Sequence, residues 1–204
     1  DGLALLSDLV MEHTKCGIMI DSPNPHVIEP LLDKLGNRPY IINSVALDNR
    51  LDVLKNVIRD RGCGVVGLPM AEHIPATAQE RVEYAKRLAD ELDIPHHKIF
   101  IDALAVSVAS DHTSIKTTLD SIVAIRKALP EVHIICGASN VSFGLPKREI
   151  VNTAFLIAAI YAGLDSAIID ITRPAIQQAI ASGSLIAGLD EYCMDYITYI
   201  RETQ

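Results

Sequence analysis

The sequence predicts one α/β domain built on a parallel sheet. Three observations carry that reading. Six short apolar segments are continuous rather than alternating, as in strands covered on both faces. A stretch of helical period, long enough for a crossover helix, separates each from the next. No linker, low-complexity stretch or charge block divides the 204 residues, a length that a single core can organise.

Taken in order, the chain opens on an amphipathic stretch from Leu3 to Glu12, with Leu5, Leu6, Leu9 and Val10, that reads as helix rather than strand. The first apolar segment is Gly17-Ile18-Met19-Ile20, followed by a helix predicted over 25–36 and stopped by Gly36. Tyr40-Ile41-Ile42 precedes a helix over 48–61, and Gly64-Val65-Val66-Gly67 forms the third segment. The helix over 77–93 has the clearest pattern. Val82, Ala85, Leu88, Ala89 and Leu92 share a face with Glu and Arg opposite, and Thr77 with Glu80 makes a capping box. His96-His97 falls in a surface loop before Ile99-Phe100-Ile101. The helix over 113–129 takes Asp111 or Thr113 as its cap and ends before Pro130. His133-Ile134-Ile135-Cys136 and Ala167-Ile168-Ile169 flank a helix over 147–162 that stops at Gly163. Helices over 173–182 and from Leu189 to Ile200 complete the chain. Two architectures fit repeated βα units, an open doubly wound sheet and a (β/α)₈ barrel. Six strands behind a leading helix match a barrel without its first β-α-β.

Composition removes several classes of function. The net charge of −8 lacks the basic face that phosphate neutralisation needs, so nucleic acid is not an expected partner. Mean hydropathy is +0.24, yet no apolar run reaches the ~18 residues of a membrane span. The opening residues carry no basic n-region, and the sequence reads as cytoplasmic. Cys16, Cys63, Cys136 and Cys193 lie far apart without metal spacing and read as buried, reduced thiols. No metal is therefore expected on the protein itself. Nucleotide-phosphate loops, H-E-x-x-H and the G-x-S-x-G elbow are all absent.

Polar residues recur where the apolar segments end. Asp21 follows Ile20, Asn43 follows Ile42, Asp102 follows Ile101, Asp170 follows Ile169, and Gly137-Ala138-Ser139-Asn140 follows Cys136. Any one of them could cap the next helix or make a turn. Five at equivalent positions suggest a shared rim, because ligands of parallel α/β folds bind at the C-terminal ends of the strands. Serines at 22 and 44 are available for the capping instead. A rim of carboxylates and carboxamides suits a neutral heterocycle with an amino-amide edge. A pterin and a guanine both meet that description.

The block Gly137-Ala-Ser-Asn-Val-Ser-Phe-Gly-Leu-Pro-Lys-Arg148, then Asn152-Thr-Ala-Phe-Leu156 and Ala162-Gly-Leu-Asp-Ser-Ala-Ile168, resembles the methyltetrahydrofolate:corrinoid protein methyltransferases. The folate module of methionine synthase shares this pattern. Ile20-Asp21-Ser22, Ile42-Asn43-Ser44, Gly67-Leu68 with Met70, Ile101-Asp102 with Leu104, and Asp111-His112 follow in the family's order. The resemblance implies a TIM-type (β/α)₈ barrel, here about six strands within a single domain over 1–204 that is N-terminally incomplete. It implies a homodimer that moves the N5 methyl of methyltetrahydrofolate to or from the cobalt of a corrinoid carried by a partner protein. Asp21, Asn43 and Asp102 would hold the pterin's amino, amide and ring nitrogens. Asn140 would meet N5, Gly137 and Ser139 would line the same wall, and Arg148 would lie near the outer part of the folate. The family commonly has Asp-Pro where this chain has Asp102-Ala103, which predicts a looser turn. Dihydropteroate synthase, a related pterin barrel, needs an Asp-Pro-Gly-type turn with a following lysine and a late Ser-Arg-Lys segment. Neither occurs, and Ser139-Asn140-Val141 stands in the second region. A non-catalytic pterin-binding fragment is the other alternative.

Overall fold

The computed structural model describes residues 2–203. The elements run α1 (Gly2–His13), β1 (Ile18–Asp21), α2 (Pro25–Leu35), β2 (Tyr40–Val45), α3 (Asn49–Arg61), β3 (Gly64–Gly67), α4 (Ala78–Leu92), β4 (Ile99–Asp102), α5 (Ser114–Ala128), β5 (His133–Gly137), α6 (Arg148–Ala162), β6 (Ser166–Ile168), α7 (Pro174–Ile186) and α8 (Met194–Thr203). All six strands are parallel and pair in chain order, β1 to β6, in one sheet. The sheet curls into a half-barrel with helices along its outside, the TIM-type architecture with six strands. Among the described residues, β1 and β6 each have one strand neighbour. Among the described residues, no helix is long and apolar enough to cross a membrane.

The core lies between the sheet and the helices. Alternate strand residues point outward into it: Ile20, Ile42, Val65, Ile99, Ile101, Ile134 and Cys136. They pack with Ile28 and Leu32 of α2, Leu54 and Ile58 of α3, Leu88 and Leu92 of α4, Ile122 and Ile125 of α5, and Phe155 of α6. A buried residue of this size contributes roughly 1.5–3 kcal/mol over its exposed state, so this layer is the main source of stability. At the N-terminal end of the strands, Arg126 of α5 bonds to the carbonyls of Val132 (2.7 Å) and Gly163 (3.1 Å) and to Asp165 (2.6 Å). Asp165 in turn accepts from the Ile134 N–H at 3.1 Å. One cation thus fastens β5, β6 and α5 together.

Local signals act as read in several places. Thr77 Oγ1 accepts from the Glu80 N–H at 3.2 Å, and Glu80 Oε2 accepts from the Thr77 N–H at 3.0 Å, which closes the capping box of α4. Gly163 sits at φ +109°, the left-handed stop of α6. At the start of α5, Asp111 Oδ1 accepts from both the N–H (2.8 Å) and the hydroxyl (2.7 Å) of Thr113.

Three expectations change. Arg81 is not on the outer face of α4 but buried with the apolar stripe, 3% exposed; position 81 shares the helical spacing of Ala85, Leu88 and Leu92. Cys16 and Cys193 are exposed, while Cys63 and Cys136 are buried, because only the latter two lie at or inside strands. The stretch from Leu189 to Ile200 is not one helix. A turn at Glu191–Cys193 puts Tyr192 at φ +55°, and the Asp190 carboxylate accepts from the N–H groups of Asp195 and Tyr196, at 3.0 Å each, to begin α8 afresh.

Gly67 ends β3 where α4 lies closest to the sheet. A Cβ there would be driven into Cδ2 of the fully buried Leu88. Gly67→Ala is expected to lower stability by about 1–3 kcal/mol through overpacking. An unchanged midpoint in chemical denaturation would refute this close approach.

Candidate functional site

Strand pleating determines which rim residues meet. Asp21 and Asn43 are Cα partners across β1 and β2. Asn43 pairs with Val66, Val66 with Phe100, and Phe100 with His133. Asp102 is two residues beyond Phe100 and pairs with Ile135, and Gly137 is two residues beyond Ile135. Partners in register and residues two apart share a face of a sheet. Asp21, Asn43, Asp102 and Gly137 therefore all lie on the inner, concave face at the C-terminal ends of their strands. Beneath them on that face, Phe100 and His133 stack with ring centroids 4.5 Å apart.

Capping does not account for these residues. The cap of α2 is Asn24, whose side chain accepts from the His26 N–H at 3.1 Å. The cap of α3 is Asp48, which accepts from the Arg50 N–H at 2.9 Å. Asp21 and Asn43 are left free of both helix starts. Asn43 is buried, 8% exposed, and among the described residues its carboxamide has no protein hydrogen-bond partner. Its polar atoms keep a small accessible surface on the inner face, so they are available to a ligand or water. Asp170, by contrast, accepts from the Thr172 N–H (3.1 Å) and hydroxyl (2.6 Å) and reaches Arg173 at 3.3 Å. It is a turn residue, as the capping alternative holds.

Asp102 has a different environment. Its Oδ1 accepts from the Leu104 N–H at 2.7 Å, which leaves the other oxygen unbonded. Its own surface is only partly covered, yet the groups around it are protein rather than water. Burial pushes its carboxyl up to about 6, opposed by the Leu104 N–H and by the charge of Arg81. The turn that follows is held firmly rather than loosely. The Ala103 N–H donates to the Ile135 carbonyl at 2.8 Å, a bond proline could not make. The Arg81 guanidinium donates to the carbonyls of Ala103 (2.7 Å) and Leu104 (3.1 Å).

On the far wall, residues Ala138–Ser142 form a 3-10 turn directly after β5. The turn brings Asn140 back over Gly137: a Cβ at residue 137 would lie 2.8 Å from Asn140 Nδ2. Asn140 is exposed. Arg148 secures the same turn, donating from Nη2 to the Ser139 carbonyl at 2.6 Å and from Nε to Ser142 Oγ at 3.0 Å. Its guanidinium also lies over the Phe143 ring, 5.6 Å from the centroid. Ser139 and Arg148 line an open cleft of about 650 Å³ with Lys147, Asn152, Asp170 and Arg173.

The site thus has two parts. Asp21, Asn43, Asp102 and Gly137 form an inner floor. Ser139, Asn140 and Arg148 form a wall that opens onto the cleft. Sequence reasoning passed over Lys147 and Arg173, which with Arg148 face Glu149 and Asp170 in the outer cleft; the pair Lys147-Arg148 was its visible sign. It also passed over Arg81, whose sign was its helical phase. No cluster of three or more His, Cys, Asp or Glu among the described residues could hold a metal ion.

The chain is similar to several known proteins. The chain is 29% identical over 215 aligned residues to a methylcorrinoid:tetrahydrofolate methyltransferase of Eubacterium limosum, an alignment covering 99% of this chain and 77% of that protein. It is 33% identical over 190 residues to methionine synthase of Mycobacterium tuberculosis, covering 85% of this chain but 16% of that much longer protein. In three dimensions it is similar to a dihydropteroate synthase of Coxiella burnetii solved in complex with pteroic acid. The TM-score is 0.64 at 16% identity, over 92% of this chain and 73% of the other, a likeness of fold alone. The family described as pterin binding enzyme matches residues 3–170. That match runs through all six strands and the whole rim from Asp21 to Arg148, and on it the chain belongs to the pterin binding enzyme family.

Proposed function

We propose that the protein is a methyltransferase that moves the N5 methyl group of methyltetrahydrofolate to or from the cobalt of a corrinoid held by a partner protein. One observation carries the reading: Asp21, the unpartnered Asn43, Asp102 and Gly137 share the concave face of the sheet, and Asn140 folds back above Gly137. The methyltransferase of E. limosum, aligned over 99% of this chain, supports it further.

In this reading the floor binds the pterin by its hydrogen-bonding edge. Asp102, ionised above pH 6, accepts from ring and amino N–H groups through its free oxygen. Asn43 supplies a donor and an acceptor, and Asp21 a second carboxylate. The ring then stands with N5 toward Asn140, and Arg148 lies toward the outer part of the folate. In the forward direction a cobalt(I) nucleophile of the corrinoid attacks the methyl carbon. The N5–C bond breaks, a Co–C bond forms, and N5 takes up a proton. N5 is a poor leaving group, so the protein contributes position and stabilisation of the nitrogen as the bond breaks. A carboxamide fits that role because it can accept from a protonated N5 or donate to a neutral one without itself titrating. Asn140 then acts by geometry, and Gly137 is what permits the geometry.

Asn140→Ala is expected to lose roughly 10²-fold in methyl transfer with the fold retained, within the usual range for proton-coupled assistance. Wild-type turnover of a cobalt(I) corrinoid substrate would remove Asn140 from the chemistry. Gly137→Ala is expected to displace the Asn140 side chain and reduce methyl transfer without a large fall in stability, since a side-chain end gives way rather than backbone. A variant with full activity would show that the contact does not matter.

Asp102→Asn separates binding from stability. The wild-type carboxyl has a folded pKa above its unfolded value, so its charge costs stability above pH 6, and the cost vanishes below about pH 4. The variant is therefore expected to be more stable than wild type by about 1–3 kcal/mol at pH 8, with the gain lost on acidification, while tetrahydrofolate binding weakens. Thermal melts across pH and calorimetric titration check the two halves. Unaltered affinity would take Asp102 out of the pterin site.

A further inference from the structure

Arg81 is a buried cation with no carboxylate within ion-pairing distance among the described residues. All its hydrogen bonds go to carbonyls: Pro75 in the loop before α4 (3.2 Å), then Ala103 (2.7 Å) and Leu104 (3.1 Å) in the turn after β4. The Leu104 carbonyl also lies within reach of the Thr118 hydroxyl of α5, at 3.4 Å. Leu104 itself is at φ +56°, a conformation that costs a non-glycine residue about 1 kcal/mol or more. With the carbonyls of 103 and 104 fixed toward α4, the Leu104 N–H faces the other way and meets Asp102 Oδ1. A methionine of similar length would fill the space beside α4 without burying a charge, which costs several kcal/mol. The charge therefore calls for a role beyond packing.

We propose that Arg81 is the positioning residue of the pterin floor: its grip on the Ala103 and Leu104 carbonyls presents the free oxygen of Asp102 to the ligand. After the Leu104 N–H, the charge of Arg81 also favours the ionised form of that carboxylate. The inference rests on the assignment of Asp102 to the pterin site. Two titratable side chains interact with Asp102 through charge: Arg81 from α4, and the Cys136 thiol, which points to the other face of the sheet from β5. Burial and the carboxylate both push the thiol up, so it stays protonated and neutral. Arg81 is accordingly the cation that opposes the effect of burial on Asp102.

The test uses the full chain with Arg81→Met and Arg81→Lys. Asp102 is followed by carbon-13 carboxyl NMR, its signal being the one missing in Asp102→Asn, and tetrahydrofolate affinity is measured by calorimetry at pH 7. In wild type the carboxyl is expected to titrate near pH 6. In Arg81→Met the midpoint is expected to rise and affinity to fall about 10-fold, the loss of one charge-assisted interaction. Arg81→Lys keeps the charge but not the fork, so its midpoint is expected to stay near that of wild type while affinity falls about 5-fold. That split separates positioning from a general loss of structure, and it can be read even if the methionine variant does not fold. Wild-type affinity in Arg81→Lys, or an unmoved midpoint in folded Arg81→Met, would overturn the proposal. If Asp102→Asn binds tetrahydrofolate as wild type does, the pterin assignment of Asp102 falls with the ligand half of the proposal. The NMR midpoints then still decide whether Arg81 controls the carboxylate.

Discussion

In a parallel sheet wrapped by helices, each strand must send alternate side chains to the helical layer, and the residues between them go to the other face. Ile20, Ile42, Ile101 and Cys136 go outward into the core. Their neighbours in sequence, Asp21, Asn43, Asp102 and Gly137, are thereby committed to the inner face. A shift of one residue in β1 or β4 would put a carboxylate into the apolar layer and an isoleucine into the site. Core packing and site construction are thus one constraint, because the energy of the outer layer holds the polar rim in register.

Such a rim has a cost that the protein distributes unevenly. Asp21 is exposed and Asn43 is buried but neutral. The burden of a poorly solvated charge falls on Asp102, whose carboxyl is pushed up to about 6. The elements around it offset part of this: the Leu104 N–H, the Arg81 guanidinium, and the Ala103 N–H that ties the turn to β5. A proline at 103 would stiffen the turn but give up the last of these bonds. Alanine keeps it, and the arginine provides rigidity from α4 instead.

The wall after β5 follows a different logic. Ser139 and Asn140 belong to one 3-10 turn and Arg148 follows at the start of α6, so they need no long-range register to find each other. Gly137 gives room, Asn140 occupies it, and Arg148 fastens the Ser139 carbonyl from the start of α6. For methyl transfer, the proposed chemistry divides along the same line. In that proposal a floor spread over four strands would recognise the flat edge of a pterin, and a compact turn would present one carboxamide to the nitrogen that loses the methyl.

The sequence by itself determined the order and extent of the parallel βα units, because continuous apolar runs and helical period are local properties that survive without a partner. It also determined the wall, since Gly137 through Arg148 is contiguous, and it placed a polar residue after each of several strands. It did not separate Asp170, a turn residue, from Asp102, a rim residue, because both follow an isoleucine and accept from the N–H two residues on; they differ in burial and in the Thr172 and Arg173 side chains that meet Asp170. It assigned Arg81 to the outside of α4 on residue type, although its phase matched the apolar stripe. The kink before α8 was hidden for a similar reason: Asp190 becomes a cap only when the chain turns at Tyr192. Tertiary structure decided these points because hydrogen-bond satisfaction and desolvation depend on atoms far apart in sequence. Arg81 and Leu104 are 23 residues apart, and no local pattern records that one of them fixes the other.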